Sequence, residues 1–284
     1  MRIGITTDCV CDLPEDYLRA NGVDLMYFYI ITDTGRFKDG YGITSENILE
    51  YLEEGGEKAE TDSPAPGEYR AFFEQQLKKY DEVIHIAASA YVGQSCAHAR
   101  AAVQAMRDEG KRVTIVDSGN LSTGLGLMVM RAVELRDSGC PAAEIADAIE
   151  RMKPRVSTTF ITHSVDFLAR NGRVGPKVSK LCRMLKLHPV MTLKDGKLKL
   201  HGLKVGHDEK AIMRYVRGEL KRAGQIDKKR LFITHAGCTV RMIAQIRAEA
   251  ERRCRFEEVM VTRTSATVSG NCGPGTVGVL YIRH

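Results

Sequence analysis

Two histidines close near-identical tetrapeptides, Phe160-Ile161-Thr162-His163 and Phe232-Ile233-Thr234-His235. Each ends a short apolar run that reads as a strand, so the pair could bind a metal or serve as acid and base. Neither has the His, Asp or Glu neighbours that a metal-ligand spacing supplies, and no Gly-x-Ser-x-Gly elbow accompanies them. The echo is equally accounted for by two strand-to-helix turns of one architecture. A second candidate is the stretch Asp117-Ser118-Gly119-Asn120-Leu121-Ser122-Thr123-Gly124-Leu125-Gly126, which follows an apolar run and contains Gly-x-Gly. A dinucleotide fingerprint needs another glycine three positions on, where Val129 stands, and Ser118 or Ser122 reads more simply as a helix cap. Gly-x-x-x-x-Gly-Lys-Ser/Thr is missing, which excludes a phosphate loop of that type. Cys9-x-Cys11 is the single close cysteine pair, so zinc-ribbon spacing is missing too. These spacings indicate no metal and no cofactor.

The remaining cluster is polar but nearly uncharged. Thr61, Asp62 and Ser63 fall in one expected loop, and Ser89, Gly93, Gln94 and Ser95 in another. Asn271 with Gly270, Gly273, Gly275 and Gly278 forms a third. Hydroxyls, amides and glycine-exposed N–H groups can hold an anionic head group without fixed cations. For any one of these residues, an ordinary place in a turn or cap is the simpler account.

The elements that must position these groups are legible in the hydropathy. Arg2–Thr7 reads as an opening strand, and Asp12-Leu13-Pro14-Glu15 as a capped helix start. Asp24–Ile31 is almost continuously apolar, as in a strand covered on both faces. Helices follow from Thr44-Ser45, at Glu68–Lys79 and at Gly93–Arg107, with strands at Val83–Ala88 and Val113–Asp117 and further helices at Leu121–Arg136 and Ala142–Met152. Such alternation implies parallel β-α-β units, whose ligands gather at the carboxyl ends of the strands. Beyond Arg155 the texture changes. Asp195-Gly196 joins two apolar runs as a tight hairpin, and helices are expected at Lys177–Leu185, Glu209–Arg222 and Val240–Arg252. The expected architecture is therefore α/β in two domains. Residues 1–155 would form an open parallel sheet with helices on both faces, and residues 156–284 a mixed α/β sheet. The default ligand site is the cleft between them.

Composition narrows the function classes. The 284 residues are 43% hydrophobic and 27% charged, which fits a globular chain rather than a disordered or fibrous one. The longest unbroken apolar run, Leu25–Ile31, is far short of the roughly 20 residues of a membrane span, and no signal-peptide pattern is seen, so a cytoplasmic protein without stable membrane insertion is expected. The net charge of +6 comes from 42 basic and 36 acidic residues scattered along the chain, and aromatics are only 6% with no Trp, which argues against a nucleic-acid surface. Eight cysteines in a chain of this length and expected compartment read as reduced thiols, with Cys96, Cys182 and Cys254 among helical residues.

Taken together, the loops resemble the DegV family of bacterial fatty-acid-binding proteins over essentially the whole chain. Thr6-Thr7-Asp8 with Asp12-Leu13-Pro14 is similar to the family's opening motif, and Thr61-Asp62-Ser63-Pro64 to its Thr-Ser-Gln-Pro loop. Asp117-Ser118 with Ser122-x-Gly124-x-Gly126, Leu168-Ala169-Arg170-Asn171-Gly172-Arg173 and Gly273-Pro274-Gly275 with Gly278 follow in the family's order. The resemblance implies a carrier and no enzyme: a long-chain fatty acid in a tunnel between two domains, its carboxylate presented to a separate fatty acid kinase. Burying an acyl chain contributes about 0.8 kcal/mol per CH₂, so a C16 chain brings on the order of 10 kcal/mol before ordering costs. The buried carboxylate must be hydrogen-bonded. By this resemblance the head-group residues are Thr61, Ser63, Ser89, Gly93, Gln94 and Asn271. The chain departs from the family where Val92-Gly93-Gln94 replaces Ser-Gly-Thr, where Asn271 replaces a histidine, and where Gly206 replaces an arginine. Asp62 at the loop centre would repel a carboxylate. Two alternatives stay open: a divergent member binding another amphiphile, and a small-molecule enzyme using His163 and His235.

Overall fold

The fold was analysed in a computed structural model that describes residues 1–284 except 57–58, 107, 164, 171–174, 176, 178–179, 181–183 and 186, with 109–110, 166, 170 and 222–224 described as backbone alone. The helix expected over 177–185, Cys182 with it, and the turn at Asn171-Gly172-Arg173 fall mostly outside the described residues.

Alternating strands and helices build a four-stranded parallel sheet from β1 (Ile3–Asp8), β2 (Asp24–Met26), β6 (Glu82–Ala87) and β7 (Val113–Asp117), in the order β2-β1-β6-β7. Both faces are covered, which is why the inner strands β1 and β6 are buried along nearly their full length. On one face α3 (Pro66–Gln76) and α4 (Ser95–Ala105) set Tyr69, Phe73, Ala99 and Ala102 against Val83 and Val113. On the other, α5 (Ser122–Asp137) and α6 (Ala142–Met152) set Leu125, Met128, Ile145 and Ile149 against Ile5, Ile84 and Ile86. The apolar spacing of α6, Ile145, Ala146, Ile149 and Met152, buries one stripe of that helix.

The later residues form a mixed six-stranded sheet from β8 (Val156–Ile161), β9 (Leu187–Lys194), β10 (Lys197–Val205), β11 (Ile226–Ala236), β12 (Glu258–Arg263) and β13 (Thr276–Arg283). Its order is β10-β9-β8-β13-β11-β12, and only β11 and β12 run parallel. The β9–β10 hairpin turns at Asp195 and Gly196, both with positive φ, as a tight two-residue turn requires. Helices α8 (Asp208–Glu219) and α9 (Val240–Arg253) pack Tyr215, Val216 and Ile246 onto Leu231, Ile233 and Val279. Between β8 and β9 a short α7 (Asp166–Arg170) carries Leu168.

Helix α5 joins the two sheets. Eleven of its 16 residues are buried, and its core extends through Val156, Phe232 and Leu280 of the second sheet. The Gly-x-Gly spacing here serves packing and not phosphate. A Cβ on Gly124 would lie 2.1 Å from Thr158 Oγ1, and one on Gly126 would lie 2.8 Å from the Cys11 carbonyl. Neither Ser118 nor Ser122 caps α5, whose Ncap residue is Leu121. The Ser118 hydroxyl donates to the Asn120 carbonyl, and that of Ser122 to Asp12.

Three expectations are corrected. Asp24–Ile31 is not one strand: Tyr27 and Phe28 break it, and β3 (Tyr29–Ile31) pairs with β4 (Arg36–Lys38) and β5 (Glu60–Asp62) in a small antiparallel sheet. A continuous apolar run cannot distinguish one buried strand from two. Asp12 does not cap α1 (Glu15–Ala20); it takes a left-handed conformation after the turn Cys9–Cys11, and its carboxylate faces inward. The Asn271 segment is not a loop but the end of α10 (Ala266–Cys272), capped by the Ser265 hydroxyl on the Val268 N–H. Thr44 caps α2 (Ser45–Glu53) as its sequence indicates.

Candidate functional site

A cavity of about 440 Å³ lies between the two larger sheets. Val10, Phe28, Leu121, Phe160, Leu168 and Leu280, drawn from both halves of the chain, give it an apolar wall. Seven threonines also line it, and protein partners already engage the hydroxyls of five of them. Thr158 donates to Asn120 Oδ1 at 2.7 Å, Thr159 meets the Tyr215 hydroxyl at 3.0 Å, and Thr276 donates to the Cys272 carbonyl at 2.9 Å. Thr234 shares hydrogen bonds with Thr123 and Thr262, and Thr264 with Ser269. Hydroxyls engaged in this way compete poorly for a ligand, and what they leave toward the cavity is carbon.

The polar end of the cavity is built from three segments remote in sequence. Strand β5 brings Thr61 to the edge of the small sheet, paired with Ile30. Asn271, on the last turn of α10, donates from Nδ2 to Thr61 Oγ1 at 2.9 Å and to the Thr267 carbonyl at 2.8 Å. Gly93 and Gln94 line the same cavity where the chain enters α4. Gln94 is the Ncap residue of α4, no side chain caps this helix, and Gly93, Gln94 and Ser95 put its start in the cavity lining. Ser63 also lines the cavity, its hydroxyl 3.3 Å from His98 Nδ1, which in turn reaches the Pro64 carbonyl at 2.8 Å.

Ser89 does not join this group. Its hydroxyl donates to the Gly196 carbonyl at 2.7 Å and accepts from the Tyr91 N–H, so it ties the loop after β6 to the tip of the β9–β10 hairpin. A strand-end serine satisfied within its own turn region is indistinguishable, by sequence, from one aimed at a ligand. The negative charge of Asp62 is also less of an obstacle than the sequence implies. Arg36 places Nε and Nη2 at 3.2 and 3.0 Å from Asp62 Oδ2, and its guanidinium stacks 3.4 Å from the Tyr29 ring centre. At Gly206 the backbone is left-handed with φ of 114°, and Arg214 from α8 donates to the neighbouring Val205 carbonyl at 2.8 Å.

Two buried carboxylates hold α10 in place. Asp39 accepts from the Ala266 and Thr267 N–H groups at 3.0 and 2.9 Å, and Asp12 accepts from the Ser265 N–H at 2.7 Å. Carboxylates at a helix N-terminus satisfy its orphan donors and complement its dipole. Burial nonetheless pushes Asp12 up to about 7, although the Ser122 hydroxyl at 2.5 Å and the Ser265 N–H oppose the shift. Burial likewise raises Asp39. Asp8, also fully buried, accepts from the Tyr69 hydroxyl and the Ala88 N–H and lies 3.3 Å from His85. Asp8 ends β1 of the parallel sheet, Asp12 follows four residues on, and Asp39 follows β4 of the small sheet; the groups they accept from are backbone and side-chain donors of the protein itself.

The two echoed histidines have different partners. His235 Nδ1 accepts from the Cys238 N–H at 3.3 Å, and burial lowers its imidazole below the ordinary value. His163 faces Asp208 instead, at 3.0 Å. Sequence reasoning missed Arg36, His98 and the threonines of β8, since none carries a motif. The described cysteines are all free thiols, and burial pushes Cys11 and Cys272 up to about 12, which removes them from nucleophilic chemistry.

No helix among the described residues is long and apolar enough to cross a membrane. The sequence profile of the DegV family, whose members are described as uncharacterised, matches residues 2–284. A DegV domain-containing protein of Deinococcus radiodurans is 29% identical over 289 aligned positions, covering 98% of each chain. A solved DegV family protein from Thermus thermophilus, described for its fatty acid binding, superposes with a TM-score of 0.87 at 28% identity over 100% of both chains. The fatty acid kinase B3 protein of Streptococcus pneumoniae, solved with linoleic acid, shares the fold with a TM-score of 0.86 at 18% identity, again over 100% of both chains. With the motifs, the two-sheet architecture and a profile match over nearly its full length in agreement, the chain belongs to the DegV family.

Proposed function

We propose that the protein is a cytosolic lipid carrier that holds a long-chain fatty acid in this cavity and presents the carboxylate to a separate fatty acid kinase. The observation that carries the reading is the division of the cavity into an apolar wall with engaged hydroxyls and one polar end at Thr61 and Asn271. The Thermus thermophilus relative, described for fatty acid binding, supports the ligand class, and the kinase-associated fold relative supports the partner class. A volume near 440 Å³ falls within the roughly 300–1,000 Å³ of single-ligand pockets.

In this reading Thr61, Ser63, Gly93, Gln94 and Asn271 take the head group, and Ser89 serves stability alone, through its bond to the Gly196 carbonyl. The Thr61 hydroxyl and the Asn271 amide exchange their mutual bond for bonds to the carboxylate, whose charge is further met by the uncapped first turn of α4. This compensates for Val92, which brings no donor of its own. Arg36 keeps Asp62 paired, so the loop presents little net repulsion. The test is organic extraction of the purified full-length protein followed by mass spectrometry. Near-stoichiometric fatty acid supports the carrier; an empty extract after incubation with lipid overturns it in favour of another amphiphile.

A further inference from the structure

We propose a divalent-metal site, selective for an ion such as Zn²⁺, formed by His163, His188 and Asp208, none of which lines the cavity. Three separate elements converge there: the end of β8 contributes His163, β9 contributes His188, and the first turn of α8 contributes Asp208. The carboxylate is divided between the two rings. Its Oδ2 lies 3.0 Å from His163 Nδ1, and its Oδ1 lies 3.4 Å from His188 Nε2. One ligand atom from each residue falls within 4.8 Å of the others. Donors bonded to one Zn²⁺ at about 2.0–2.2 Å stand about 3.0–3.5 Å apart, so both contacts already have the length of a coordination edge. His188 is buried, with a side chain only 7% exposed, while His163 and Asp208 are each 51% exposed, which leaves a route for the ion.

Imidazole and carboxylate together suit Zn²⁺ and its first-row neighbours better than Mg²⁺ or Ca²⁺, which favour all-oxygen shells. His188 Nε2 also lies 2.8 Å from the Gly206 carbonyl. Without metal the Nε2–H donates a hydrogen bond there; with metal bound, that nitrogen is a ligand, the ring proton resides on Nδ1, and the carbonyl is placed as a further oxygen donor. Sequence spacing concealed the site because its three ligands are 25 and 20 residues apart, and only the pairing of β8 with β9 and the packing of α8 bring them together. The bound ion would brace the strand that carries Thr158, Thr159 and Phe160 to the cavity wall. The inference stands independently of the carrier reading.

The test is calorimetric titration of Zn²⁺ alone into metal-stripped full-length protein, comparing wild type with His163→Ala, Asp208→Asn and the control His201→Ala, which alters a different His–carboxylate pair, with Glu219. One ion per chain is expected for wild type and His201→Ala. A loss beyond the 10–100-fold typical of outer-shell changes is expected for the other two, because each removes a direct ligand. His163 is half exposed, so its variant keeps the test valid should Asp208→Asn disturb the start of α8; circular dichroism without metal checks the fold of both. No Zn²⁺ binding by wild type, or binding that His163→Ala leaves unchanged, overturns the proposal.

Discussion

Asp12 supplies a sharp test of the physical reasoning, because burial and hydrogen bonding act on it in opposite directions and burial prevails. Its carboxyl rises from 3.8 to about 7 on folding. The folded chain therefore holds a proton there that the unfolded chain has released, and unfolding gives that proton up. Stability from this group is fully present below pH 3.8 and is lost as pH rises through about 7. A shift of about 3 units at 1.36 kcal/mol each bounds the total near 4 kcal/mol, of which about 3 falls between pH 4.5 and 8. Asp12→Asn isolates the effect. The amide oxygen can still accept the Ser265 N–H and the amide nitrogen can donate to the Ser122 hydroxyl, so the clasp on α10 survives without a titrating group. Equilibrium urea unfolding of both proteins at several pH values gives the difference curve, in which the contributions of other carboxylates cancel. Wild-type stability relative to Asp12→Asn is expected to fall by about 3 kcal/mol from pH 4.5 to 8. A difference curve flat within experimental error would refute the argument that desolvation governs this carboxylate.

Other outcomes follow from the site and the packing. Thr61→Val and Asn271→Leu should each weaken fatty acid binding about 10-fold, the cost of about one charge-assisted hydrogen bond, and the double variant should lose less than the product because the two residues are bonded to each other; fluorescence competition with a labelled fatty acid reads this. Arg36→Ala should uncover the charge of Asp62 and weaken binding of a fatty acid more than of the matching fatty alcohol, by a few-fold since the pair is nearly half exposed. Ser89→Ala should leave lipid affinity unchanged while lowering stability by about 1 kcal/mol, and a loss of affinity comparable with Thr61→Val would return Ser89 to the head-group site. Gly124→Ala forces a methyl against Thr158 and should cost about 1–3 kcal/mol in urea unfolding.

Much of this protein is written in local pattern. Short apolar runs alternating with amphipathic ones determine the parallel sheet and its helices, because a strand covered on both faces must be apolar throughout and a helix on a sheet must be apolar along one stripe. Asp195-Gly196 determines its hairpin, since few residues tolerate two successive left-handed conformations. The motif order of the loops indicates the DegV family, and the profile match over residues 2–284 bears that out. Side-chain destinations are another matter. Asp12 looked like a helix cap and is instead one of two acids gripping α10 from 253 positions away in sequence. Gly124 and Gly126, whose spacing falls short of a dinucleotide fingerprint, are the clearance that lets α5 lie between two sheets. Ser89 and Thr61 both read as loop hydroxyls, yet Thr61 lies on β5 and it alone of the two reaches the polar end of the cavity. His163 appeared to lack metal-ligand neighbours because spacing along the chain is blind to strand pairing, and β9 and α8 supply them. Local sequence sets which backbone states are cheap, but the partner of a polar side chain is chosen by which distant surfaces the buried core forces together.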